Sequence, residues 1–184
     1  MEPSQHEKEP EGQKAILNIY AAFGVSLILS VLPYMSAAIL SIFFFMGVLI
    51  GAYVLRSNSE TGSLQENHAT YIIRTLWITA FFSLITTGIA TAYMLSDVYY
   101  IPFDPCALAL ANKGVAWMES ASMMDVYAIV EPCVGDFLDA NKVLFLNAVL
   151  IAGAPLVIYM TYRLASGLSR ATKGYRLSNS KAWF

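Results

Sequence analysis

Residues 15–55 read AILNIYAAFGVSLILSVLPYMSAAILSIFFFMGVLIGAYVL, 41 positions without one charged side chain. As a single helix the run would be about 60 Å long, twice the ~30 Å hydrocarbon core of a bilayer. Pro33 lies near its middle, where it removes a backbone donor and disfavours helix at the residue before it. A tight helical hairpin accommodates both facts, with spans over 15–32 and 36–55 and the reversal at Pro33-Tyr34. One kinked, strongly tilted helix is the alternative.

Outward from this hairpin, two further apolar stretches are long enough to cross. One covers 71–95 and is interrupted only by Arg74, and the other covers 143–162 and holds Asn147 and Pro155. Between them, 96–142 is punctuated by Asp97, Asp104, Lys113, Glu119, Asp125, Glu131, Asp136 and Asp139 and offers no clean span. The expected fold is therefore an all-α integral membrane protein of four transmembrane helices. Composition agrees: 57% of the 184 residues are hydrophobic and 13% charged, against the ~25% charge of a soluble domain. A net charge of −2 without a basic block argues against nucleic acid as a partner.

Orientation follows from Lys and Arg, which cytoplasmic flanks retain. With the N-terminus inside, the inner segments hold Lys8, Lys14, Arg56, Arg74, Arg163, Arg170, Lys173, Arg176 and Lys181, and the outer side holds only Lys113 and Lys142. Both termini are expected in the cytoplasm. Residues 1–14 read as a short disordered tail rich in Glu, Gln and Pro, span one as a retained anchor, and 163–184 as a basic tail of +5. Such a tail attracts anionic headgroups at about 1 kcal/mol per nearby cation.

Cys106 and Cys133 both fall in the outer segment 96–142. On the oxidising side of a bacterial membrane they would form a disulfide worth very roughly 3 kcal/mol, stapling a segment too small to bury its own core. Two buried, unpaired thiols are the alternative. Local signals there favour short helices: Asp104-Pro105 opening one that Gly114 stops, and Ser122 with Asp125 as a capping box opening another. Met123, Val126, Tyr127 and Val130 share one face of the second. The segment reads either as a docking surface or as a cap over its own bundle.

No catalytic set is apparent. His68 and the cysteines are expected on opposite sides, no span carries paired carboxylates, and no metal-ligand set or cofactor motif is present. The chain is expected not to be an enzyme, and no acidic or basic residue lies mid-span to drive a proton-coupled carrier. Small residues at i, i+4 spacing, Gly47/Gly51, Gly88/Ala92 and Ala148/Ala152, permit close helix packing, read as contact within one bundle or as dimerisation.

The stretch Glu66-Asn67-His68-Ala69-Thr70-Tyr71-Ile72-Ile73-Arg74-Thr75-Leu76-Trp77 resembles the Glu-Ser-His…Ile-Arg-Thr-Phe-Trp signature of a family of small, largely uncharacterised bacterial inner-membrane proteins. That family is distantly similar to the channel-like component of the chloroplast inner-envelope import translocon. Tyr162-Arg163…Gly167-Leu168…Arg170…Lys173-Gly174 is similar to the stretch after the family's last span. Ala69 and Thr70 replace an aromatic and an Arg of that pattern, and 96–142 stands where the family has a short connection. The resemblance implies a fold and the bacterial inner membrane rather than a reaction.

On their own residue chemistry, Glu66, His68, Arg74, Thr75, Trp77, Arg163 and Arg170 gather at the inner rim of spans three and four. They read either as a polar site for a lipid headgroup or a partner's tail, or as an edge cluster that sets span depth. The expected function is a non-enzymatic accessory or assembly subunit docking a larger inner-membrane complex through 96–142. The alternative is a small channel or translocation component acting as a homo-oligomer, and a third reading is a lipid-binding or lipid-modifying protein using the rim.

Overall fold

The computed structural model describes residues 10–183. The expected tail therefore lies, through residue 9, outside the described residues. Seven α-helices are present among them: α1 Pro10–Ser30, α2 Met35–Ser57, α3 Leu64–Asp97, α4 Asp104–Lys113, α5 Val115–Ser120, α6 Met123–Ala140 and α7 Lys142–Thr172. A short 3-10 turn, Ile101–Phe103, precedes α4. Four of the helices, α1, α2, α3 and α7, are long and apolar enough to cross a membrane.

The hairpin is as expected. Val31 and Leu32 donate to the Ile28 and Leu29 carbonyls, tightening the end of α1, and α2 restarts after Pro33 and Tyr34. The paired faces follow helical spacing: Ile16, Tyr20, Phe23 and Leu27 on α1, and Ser41, Val48 and Ala52 on α2, are buried. The Ser41 hydroxyl donates to the Ser26 carbonyl across the pair at 3.1 Å.

Three helices clearly outrun their expected spans, α3 by running from Leu64 to Asp97 where 71–95 is expected. Helix α1 begins at Pro10, inside the stretch expected to be disordered, because proline suits a helix's first position and Gln13 is bound. The Gln13 amide donates to the Ala171 and Thr172 carbonyls at 2.8 and 3.1 Å, tying the start of α1 to the end of α7. Helix α7 continues through the expected basic tail as far as Thr172. It stops in a Schellman turn: Gly174 takes φ +70°, its N–H donates to the Ala171 carbonyl, and Tyr175 N–H donates to the Arg170 carbonyl.

The chain divides into two compact units, each built partly from α3 and α7. The first comprises the residues up to Leu84 with those from Ala154 onward, and the second Ile85–Gly153. The first holds the main apolar core of the described residues: Ile16, Tyr20, Phe23, Leu27, Val48, Ala52, Ile72, Ile73, Ile78, Tyr159, Met160 and Ala171.

In the second unit the Cys106 and Cys133 sulfurs lie at disulfide distance, with their Cα atoms 6.3 Å apart, joining α4 to α6. Asn141 exchanges hydrogen bonds with both backbone groups of Tyr99, at 2.8 and 2.9 Å. Phe103 and Phe145 pack on Phe137 at 4.6 and 5.7 Å between ring centres. Helix α6 opens with the expected capping box, Ser122 with Asp125. Hydrogen bonds from the Ser122 hydroxyl and N–H hold the Asp125 carboxyl below the usual carboxylate range. The box is thus intact above that range and loosens only as pH falls through the lowered value.

The small residues divide differently from the expectation. Ala148 is buried and Ala152 half-buried, but a Cβ at Gly47 or Gly88 would meet nothing within 4 Å, and Ala92 is exposed. Gly51 sees only the tip of Ile19, at 3.9 Å. No packing against another helix is therefore served at Gly47, Gly88 or Ala92 among the described residues. Two polar span residues are tied internally, Asn147 to the Tyr93 hydroxyl and Thr86 to the Ala152 carbonyl.

Candidate functional site

The site lies in the first unit, where α1, α3, α7 and the C-terminal segment 173–183 meet. On α3, Asn67, Tyr71 and Thr75 repeat every four residues, with His68 beside Asn67. On α7, Tyr159, Arg163, Gly167 and Ala171 repeat at the same interval, and all four are buried. These two stripes and Tyr20 of α1 enclose a polar core within the apolar one.

His68 is fully buried and bonded at both nitrogens. Nε2 lies 3.0 Å from the Tyr175 carbonyl, which only accepts, so Nε2 carries the proton. Nδ1 then accepts from the Tyr20 hydroxyl at 3.0 Å. One residue earlier, Asn67 grips Leu177 from both sides: its amide donates to the Leu177 carbonyl at 3.1 Å and its oxygen accepts the Leu177 N–H at 2.8 Å.

Arg163, 1% exposed, is the largest fully buried side chain. Its Nε donates to the Thr75 hydroxyl at 3.0 Å, and Nη1 donates to the Ala182 carbonyl at 3.2 Å. The guanidinium carbon stands 3.6 Å from the centre of the Tyr71 ring, a cation–π geometry. The Tyr71 hydroxyl reaches back to the Arg163 carbonyl at 3.1 Å, and Thr75 donates to the Tyr71 carbonyl at 2.8 Å. Tyr159 completes the ring of contacts by donating to the Trp183 carbonyl at 3.1 Å.

The C-terminal segment is thus a strap rather than a free basic tail. Side chains of α3 and α7 hold it at Tyr175, Leu177, Ala182 and Trp183, in every case through backbone groups. Trp183 also packs edge-on against Phe82 at 6.2 Å. Each bond of this kind contributes about 0.5–1.5 kcal/mol net, and more where the donor is charged. Asn67→Ala is therefore expected to free the middle of the strap, speeding tryptic cleavage at Arg176 and Lys181 at least severalfold in mild detergent. An unchanged cleavage rate would show that Asn67 does not hold it.

Of the seven residues expected at the rim, His68, Thr75 and Arg163 converge. Arg74, next to Thr75, is half-buried, and its Nε is enclosed without a hydrogen-bond partner. Arg170 is exposed and donates to the Arg176 carbonyl at 3.3 Å, bracing the turn into the strap. Glu66 instead caps its own helix: its carboxylate accepts the Gly62 N–H at 2.9 Å while the Ser63 hydroxyl accepts its N–H. Trp77 is 59% exposed and donates to the Tyr53 hydroxyl on α2, so it lies outside the cluster.

Sequence reasoning missed Tyr20, Asn67, Tyr71 and Tyr159. The four-residue repeat on α3 and α7 was the available signal, since polar and aromatic side chains at i, i+4 share a face. Among the described residues no three His, Cys, Asp or Glu side chains gather as metal ligands. Comparison with models of protein families gives no match, and searches of curated proteins and of solved structures give none either.

Proposed function

We propose that this chain is a non-enzymatic accessory or assembly subunit of a larger complex in the bacterial inner membrane, docking through its outer segment. The reading places both termini in the cytoplasm and 96–142 on the oxidising side, where Cys106 and Cys133 stay bonded. The observation that carries it is the uncovered apolar surface of that segment. Met123 is 85% and Met124 74% exposed, and Leu108, Val115, Met118 and Tyr127 are exposed as well. Of the four residues that share one face of α6, only Val126 and Val130 are half-covered, and Met123 and Tyr127 are exposed. Side chains of this size, concentrated on one small stapled element, favour a protein partner, and methionine adapts to irregular surfaces.

The test is a mild-detergent pull-down of the tagged chain from native membranes, sized before dissociation. A stoichiometric larger partner is expected, and the double variant Met123→Asp, Tyr127→Asp should release it while leaving thermal unfolding unchanged, because both sites are exposed. Retention of the partner by the double variant would overturn docking at this surface. A homogeneous homo-oligomer without a partner would overturn the subunit reading in favour of the channel, and bilayer conductance would then be measured.

A further inference from the structure

We infer that Arg163 and Arg74 form a binding site for a phosphate-class oxyanion at the membrane edge, of the kind carried by a phospholipid headgroup. Arg163 keeps a full positive charge inside the protein, 1% exposed, and its two hydrogen bonds go to neutral groups, the Thr75 hydroxyl and the Ala182 carbonyl. Its Nη2 is enclosed and has no hydrogen-bond partner. The Tyr71 ring beneath it offsets part of the charge, but a ring face accepts no N–H of the guanidinium edge.

Arg74 supplies the second half. It adjoins Thr75, the residue that binds Arg163, and its Nε is likewise enclosed and unpartnered. Two guanidinium groups with unsatisfied N–H donors, and among the described residues no carboxylate bonded to either, repel each other in a poorly solvated place. A bound dianion or phosphodiester relieves that repulsion and fills the donors, and guanidinium forks match the tetrahedral oxygens of phosphate.

Depth in the membrane fits the same ligand. The charge-free run 75–96 begins directly after Arg74, and the charge-free run 143–162 ends directly before Arg163. About 20 apolar residues span the hydrocarbon core, so both arginines fall at one boundary of it, at the level of lipid phosphates. This site is separate from the outer segment and stands whichever partner that segment takes.

The full chain, purified in maltoside detergent and delipidated, tests the site by thermal unfolding with added probes. These are micelles doped with phosphatidylglycerol, micelles doped with a diacylglycerol of the same chains, and inorganic phosphate. Phosphatidylglycerol is expected to raise the unfolding midpoint and the diacylglycerol to leave it unchanged. Stabilisation by phosphatidylglycerol alone assigns the site to a lipid headgroup, whereas equal stabilisation by inorganic phosphate assigns it to a free oxyanion. Arg74→Gln leaves the Arg163 bonds to Thr75 and the strap in place and should raise the half-saturating concentration about tenfold. No shift with either phosphate probe overturns the site. So does a shift undiminished in Arg74→Gln, or one lost equally in Arg170→Gln, because that pattern reports general surface charge.

Discussion

Arg163→Ala should lower the unfolding free energy by about 2–4 kcal/mol, through two lost charge-assisted hydrogen bonds and the cavity left by a buried stem. The Thr75 hydroxyl would lose a donor, the Ala182 carbonyl would be orphaned, and the Tyr71 ring would lose the cation above it. The same change should loosen the end of the strap, so trypsin would cleave after Lys181 well below the unfolding temperature. Arg163→Met keeps most of the stem volume and discards the charge, so it should recover part of the stability without recovering the strap. Thermal unfolding in mild detergent and timed proteolysis measure the two effects separately. An alanine variant that unfolds like the parent would mean that Arg163 is not the centre of this packing.

The second large effect is one of sign. Alanine in place of glycine within a helix normally stabilises by about 1 kcal/mol. At Gly167 the added Cβ would stand 2.7 Å from Tyr20 Cζ, and that ring is 1% exposed and bonded to His68. Nothing there gives way cheaply, so Gly167→Ala is expected to destabilise by about 2 kcal/mol net, overpacking exceeding the helical gain. Gly47→Ala, open on every side within 4 Å, should be neutral or stabilising. Combining Gly167→Ala with Tyr20→Ala should restore much of the loss, a coupling that a double-mutant cycle reads directly. Equal effects at the two glycines would rule out the close approach of α1 to α7.

Much of the fold was legible in the residues, because crossing a membrane is a local property. The charge-free run from Ala15 to Leu55 is too long for one crossing, and Pro33 divides it, so a hairpin follows. Ser122 and Asp125 sit three apart, which is all a capping box requires. The helix ends were less legible. Pro10 and Gln13 lie in a polar stretch that composition assigns to disorder, but Gln13 gains order from carbonyls more than 150 residues away. At the rim, His68, Thr75 and Arg163 were readable as neighbours, whereas the roles of Glu66 and Trp77 depended on which way each side chain turned.

What the sequence by itself determined is the number of helices long and apolar enough to cross a membrane, the hairpin, and the bounds of the segment between the third and fourth of them. Each depends on side-chain chemistry at short range: apolar length, proline and the spacing of caps. What only the tertiary structure decided is that residues 173–183 return as a strap and that Arg163 is roofed by it. The strap is held through the carbonyls of Tyr175, Leu177, Ala182 and Trp183, and every residue owns a carbonyl. A contact made to the backbone leaves no mark in the side chains it selects, so only the folded chain reveals it.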